Sequence, residues 1–310
     1  MAMLRTDLAA KFRAFEGLSV TTDPLARLCL DGLSRDEQQA LERDLELASQ
    51  VQRALLPRAD VRFGDWRIHY QYKPAGIVSG DYCDLIPPRT ERGQPATEGG
   101  GLVFLLGDAS GKGVAASLLM THLHATFRSL AGLDLELGTQ LEIANRLFCE
   151  STIASQYATL ICGRISEGGM VELGSAGHLP ALLISKSGVK QIGATGFPLG
   201  IFPASRYAVH RFQLEPGDTL VLFTDGISEA RDLAGDEYGI DGLALAAGAR
   251  HGWSSRELVS ACREDVDWYA RGTRQADDQT LLAIHLDEPD AAIFDAVMAL
   301  QSVRLRLEGN

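Results

Sequence analysis

The sequence predicts an α+β protein built from antiparallel sheets covered by helices. Apolar, strand-like runs come in hairpin-linked groups. Helical runs are inserted between them as pairs. The regular alternation of one strand with one helix, which would signal a parallel sheet, is missing. At 310 residues and 45% hydrophobic content, the chain can bury one large core and carry appendages.

Residues 1–33 mix charged and apolar positions without the unbroken apolar core of a signal peptide. Residues 34–57, SRDEQQALERDLELASQVQRALLP, read as one helix. Ser34 caps it, Glu37 can complete a capping box, and Pro57 ends it. Leu41, Leu45, Ala48 and Leu55 form an apolar stripe that Gln52 interrupts; the stripe suits packing on the domain or pairing with another copy equally well.

Strand-like runs follow at WRIHYQY from 66, DYCDLI from 81 and GLVFLLGD from 101, with a Pro/Gly/charge-rich loop at 88–100. Helical periodicity covers about 113–131 and 138–155. YATLICGRI and MVELGSA flank a turn at Glu167-Gly168-Gly169, and PALLIS and VKQI flank another at Lys186-Ser187-Gly188. VHRFQL and DTLVLFT come next. A helical block over 240–272, in which Trp253 and Trp268 read as core anchors, precedes a closing strand TLLAIHL. Residues 288–310 read as an amphipathic helical tail outside the core.

Charge and cysteine usage exclude several classes. Lys and Arg total 29 against 41 Asp and Glu, a net charge of −12, which lacks the basic face that nucleic-acid binding needs. The five cysteines at 30, 83, 149, 162 and 262 form no CxxC and read as reduced, mostly buried thiols. No run reaches the roughly 18 apolar residues of a membrane span. The expectation is a cytoplasmic protein with neither nucleic-acid nor membrane partners.

The stretch VFLLGDASGKG at 103–113 raises two chemical readings: a nucleotide-phosphate cradle or a metal site. The first fails on spacing. The phosphate loop GxxxxGK[ST] needs one more residue between Gly107 and Gly111-Lys112, and Gly113 stands where the loop requires a hydroxyl. The second gains from repetition. Asp81 opens an apolar strand, Asp108 ends one, Asp225 ends another, and Asp277 and Asp278 precede the last. If those strand ends converge, the carboxylates repel unless a cation shares the site, and hard divalent ions such as Mg²⁺ or Mn²⁺ would meet that need. Independent turn aspartates account for the same spacing equally well. His122 and His124, two apart on a helix, point to different faces and make a poor metal pair.

Seven stretches in order resemble the metal-dependent protein phosphatase (PPM, type 2C) family, and within it the bacterial SpoIIE/RsbU branch. They are LASQVQRALLP (47–57), VSGDYCDL (78–85), GDASGKGVAASLLM (107–120), SAGHLPALL (175–183), GFPLGI (196–201), GDTLVLFTDGISEA (217–230) and DDQTLLAIHL (277–286). The resemblance implies an αββα sandwich with a phosphatase domain over 60–287, behind a linker or regulatory helix at 34–57. It implies two Mn²⁺ or Mg²⁺ ions. Asp108 would bridge them; the backbone carbonyl of Ala109, Asp81, Asp225 and Asp277 would be further ligands. Asp278 would be a supporting or alternative ligand. Asp108 and Asp225 would act through water activated by the ions in hydrolysis of a phosphoserine or phosphothreonine monoester.

The chain departs from the broader family at Ser110, where many type 2C phosphatases carry a histidine that is a candidate leaving-group acid. Lys112 is either a phosphate-facing cation or a solvated surface lysine. His178, in SAGHLP, reads as a packing or loop-ordering residue rather than a catalytic one. The branch implies a phosphorylated STAS-type anti-sigma-factor antagonist as substrate, in a partner-switching pathway. Residues 1–33 are shorter than the roughly 50 residues of a sensor domain, so control is expected from an activator or dimer partner at helix 34–57. A catalytically weak phosphoprotein-docking module on the same fold and a two-metal phosphatase of small phosphoesters are the alternatives.

Overall fold

A computed structural model describes residues 34–88, 101–133, 135–153 and 155–288, without the side chains of residues 37 and 38. The segment 1–33, most of the 88–100 loop, nearly all of the 288–310 tail and the Glu37 half of the capping box lie outside the described residues.

The chain runs α1 (Arg35–Leu55), β1 (Asp60–Phe63), β2 (Trp66–Lys73), β3 (Asp81–Ile86), β4 (Gly101–Ala109), α2 (Val114–Leu130) and α3 (Leu137–Ser151). It continues through β5 (Ala158–Ser166), β6 (Met170–Ala176), β7 (Ala181–Ser185), β8 (Gly188–Ile192), β9 (His210–Gln213), β10 (Thr219–Phe223), a single turn α4 (Asp225–Ser228), α5 (Gly239–Gly248), α6 (Ser255–Tyr269) and β11 (Gln279–Leu286). One sheet has the order β1-β2-β11-β10-β7-β8 and the other β3-β4-β5-β6-β9. Every pairing within them is antiparallel.

The sheets pack face to face, with α2 and α3 outside the second and α5 and α6 outside the first. Alternation along the strands builds this αββα sandwich. In β4, Leu102, Phe104 and Leu106 point between the sheets, while Val103 and Leu105 point to the α2/α3 layer. In β11, Leu282 and Ile284 point inward, while Leu281 and Ala283 meet the α5/α6 layer. Burial on both faces is why these strands read as unbroken apolar runs. The chain crosses between sheets after β2, β6, β8 and β9, so the strand ends at one edge of the sandwich come from distant sequence.

Two expectations are corrected. On α1, Leu41, Leu47 and Val51 are exposed, whereas Ser49 and Gln52 are buried. The packed side is therefore centred on Gln52, the residue that interrupts the apolar stripe. Trp253 and Trp268 are exposed rather than anchoring the core. The buried stripe of α6 is Leu258, Val259, Cys262 and Val266, and position 268 lies two residues beyond it, on the opposite side of the helix. The guanidiniums of Arg250 and Arg271 lie over the two indole rings, at 5.6 and 4.6 Å. Strand β1 and the single turn α4 had no distinct sequence signal. Among the described residues, Cys83, Cys162 and Cys262 are buried and Cys149 partly so, all as free thiols. No described helix is long and apolar enough to cross a membrane.

Candidate metal centre

Antiparallel pairing sets the first two acids. Asp81, at the start of β3, is the register partner of Asp108, near the end of β4. The other three come from the facing sheet. Asp225 follows β10 as the first residue of α4, and Asp277 and Asp278 lead into β11, the neighbour of β10. Gly226 lets these two segments touch: a Cβ there would stand 2.0 Å from the carbonyl oxygen of Asp278. A side chain at 226 would push Asp225 away from Asp277.

The acids feel one another. Burial pushes the Asp108 carboxyl well above the ordinary carboxylate range, and Asp81, Asp225, Asp277 and Asp278 all raise it further. Burial also lifts Asp81; repulsion from Asp278 and Asp225 adds to this, while hydroxyl bonds from Thr280 and Thr224 oppose it. Asp225 is pushed up to about 6, by burial first and then by Asp277 and Glu229. The nearby ammonium is that of Lys112, whose Nζ lies 2.8 Å from Asp277 Oδ2 and donates to the Ala276 carbonyl at 2.8 Å. Lys112 is thus engaged with the acids rather than simply solvated.

The carboxylates are held by protein donors. Asp81 Oδ2 accepts from Thr224 Oγ1 at 2.9 Å and Thr280 Oγ1 at 2.5 Å. Asp278 accepts from the backbone amides of Ala75 at 2.7 Å and Gly80 at 2.9 Å, clasping both ends of the loop before Asp81. The Gln52 side chain grips the same loop from α1: Nε2 donates to the Ser79 carbonyl at 2.6 Å, and Oε1 accepts from the Ser79 amide at 3.0 Å. Ser110 Oγ accepts from the Tyr157 amide at 2.9 Å, a bond that joins two loops. His122 turns to Ser151 and Phe148, and His124 to Asp84 and Tyr82, so the two histidines do not share a site.

A cavity of about 480 Å³ opens over the cluster, lined by Asp108, Asp225, Asp277, Glu229, Lys112 and His178 among others. Asp81 and Asp278 do not reach its surface. Among the described residues, no three His, Cys, Asp or Glu side chains close into a ready ligand shell. The chemistry of the donor set nevertheless fits hard divalent cations: several buried, mutually repelling carboxylates, oxygen donors throughout and one ammonium among them. Thr224 and Thr280 escaped the sequence reading. Each lies within two residues of an acid already singled out, but their convergence on Asp81 depends on strand pairing.

Comparisons with known proteins agree with this architecture. Protein IcfG of Synechocystis sp. is 23% identical over 290 residues, 84% of this chain and 43% of that protein. Phosphoserine phosphatase RsbU of Bacillus subtilis is 27% identical over 200 residues, 64% of this chain and 57% of that one. The chain thus spans about half the length of these relatives. The SiaA-PP2C domain of Pseudomonas aeruginosa has the same fold: the TM-score is 0.68 at 19% identity, covering 81% of this chain and 99% of that domain. The sequence profile described as Stage II sporulation protein E (SpoIIE) matches residues 98–287, from the start of β4 to the end of β11. Since that match takes in more than half of the chain and three of the four acid-bearing segments, the protein belongs to the SpoIIE family.

Proposed function

We propose that this protein is a metal-dependent serine/threonine protein phosphatase. The observation that carries the reading is the convergence of five acids, with raised carboxyl pKa values at Asp81, Asp108 and Asp225, beneath an open cavity. A pair of Mn²⁺ or Mg²⁺ ions held there would activate water for in-line attack on phosphorus and offset charge on the phosphoryl oxygens.

In this reading Asp108 would hold both ions, and Asp81, Asp225, Asp277 and the Ala109 carbonyl would be further ligands. Asp278, with both oxygens committed to backbone amides, orients the loop instead of binding an ion. Lys112 reaches Asp277 from the cavity wall and is placed to meet a phosphoryl oxygen. Ser110, held by Tyr157, orders the loop beneath it.

A protein substrate suits the surroundings. A second cavity, of about 680 Å³, adjoins the first and shares Lys112, Glu229 and Asp277 with it. Its walls carry Arg271, Arg274 and the exposed Leu233, more surface than a small ester would use. RsbU of Bacillus subtilis, a phosphoserine phosphatase by name, supports a phosphoserine substrate; a phosphorylated STAS-type antagonist is the substrate class that the family resemblance implies. The grip of Gln52 on the loop before Asp81 supports helix 34–57 as the place where an activator or a second copy acts. Deletion of residues 1–57 is expected to change activity or oligomeric state.

The deciding experiment is turnover of p-nitrophenyl phosphate with Mn²⁺, with and without chelator. Asp108→Ala and Asp225→Ala are each expected to abolish the metal-dependent rate. Absence of turnover on this ester and on phosphoproteins would instead favour a docking module, a reading to which the serine at position 110 lends weight.

A further inference from the structure

His178 lies on the crossing from β6 of one sheet to β7 of the other. Gly177 before it adopts φ +65°, and a Cβ there would stand 2.5 Å from the Pro198 ring. The crossing is therefore fixed tightly enough to drive the imidazole inward, and His178 is only 5% exposed.

Both ring nitrogens are engaged. Nδ1 lies 2.7 Å from Thr159 Oγ1, and Nε2 lies 3.1 Å from the carbonyl oxygen of Phe223. Burial pushes the imidazole down to about 4, so it is neutral at neutral pH and has one N–H. A carbonyl only accepts. Nε2 therefore carries the hydrogen and donates to Phe223, and Nδ1 accepts from the Thr159 hydroxyl.

The two partners belong to different sheets and to the two halves of the acid cluster. Thr159 on β5 is the register partner of Asp108. Phe223 ends β10; Thr224, which follows, donates to Asp81, and Asp225 comes next. We infer that His178 is a positioning residue, a neutral staple between the sheets that sets the separation of Asp108 from Asp225. The inference rests on the metal-centre reading above. It places no proton on the substrate, because neither ring nitrogen is free to give or take one.

The test uses the full chain with His178→Phe, which keeps bulk and removes both bonds, and His178→Gln, which keeps one donor and one acceptor. Thr159→Val, which removes the hydroxyl alone, is the second line if the Phe variant fails to fold. Calorimetric Mn²⁺ binding is expected to weaken about 10–100-fold in His178→Phe, the range for residues that orient ligands. His178→Gln is expected to recover most of the loss, and the KM for p-nitrophenyl phosphate at saturating Mn²⁺ should stay near wild type. Wild-type Mn²⁺ affinity in both His178→Phe and Thr159→Val overturns the staple, as does equal impairment of the Gln and Phe variants. If the wild type itself binds no Mn²⁺, the metal-centre reading falls. The staple is then judged by amide hydrogen exchange at residues 224–227: faster exchange in His178→Phe supports it and unchanged exchange overturns it.

Discussion

Asp81 and Asp108 are register partners across β3 and β4, two carboxylates placed side by side at the mouth of a buried sheet. Opposed like charges weaken an antiparallel pair. Their placement is intelligible if the end of the sandwich is built to be neutralised by something that is not a side chain. Lys112, the nearby ammonium, lies against Asp277.

Removal of the Asp278 carboxylate should loosen the centre without deleting a direct ligand. Asp278→Ala frees the amides of Ala75 and Gly80, which hold the loop that aims Asp81. Mn²⁺ affinity is expected to fall about 10–100-fold. Asp278→Asn, which keeps an acceptor, should fall less, whereas Asp277→Asn should fall more than either. Calorimetric titration of the three variants checks the order.

The acid cluster's contribution to the stability of the metal-free protein should decline as pH rises, against the opposite trend of the buried His178 imidazole, which lies at about 4. Asp225 titrates at about 6 in the fold against an ordinary value of 3.8. The stability associated with its protonated form is complete below about pH 4 and is lost as pH rises through about 6. Asp81 and Asp108 act in the same direction. Bound Mn²⁺ reverses the penalty, so the gain in Tm on adding Mn²⁺ should be larger near pH 8 than near pH 5. Thermal melts in chelator and in Mn²⁺ across that range measure it.

Gln52→Leu keeps most of the bulk under α1 but leaves the Ser79 amide and carbonyl without partners. A loss of about 1–3 kcal/mol is expected for each buried polar group left unmatched. Urea denaturation midpoints compare this variant with Val51→Leu, a change on the exposed side of the same helix, which should be near neutral.

The cavity beside the centre should matter for proteins and not for small esters. Arg274→Glu reverses a charge on its wall. The KM for a phosphoserine-bearing STAS-domain protein is expected to rise severalfold and to depend less on salt, while turnover of p-nitrophenyl phosphate stays unchanged. Equal effects on both substrates would contradict a docking role for this wall.

By itself, the sequence determined the alternation of strand groups with helix pairs, the apolar runs of β4, β10 and β11, and the acid at the end of each. Those are local matters of periodicity and turn chemistry, written in neighbouring residues. It also carried the seven ordered stretches from which the family could be named. Only the tertiary structure decided that Thr224 and Thr280 meet on Asp81, that Gln52 is the buried centre of α1, and that the two tryptophans face solvent. It also decided that His178 spans the sheets. Each of these depends on which strand lies beside which and on how the layers stack. Four crossings between two sheets bring together residues as far apart as 81 and 280, and no periodicity along the chain records that pairing.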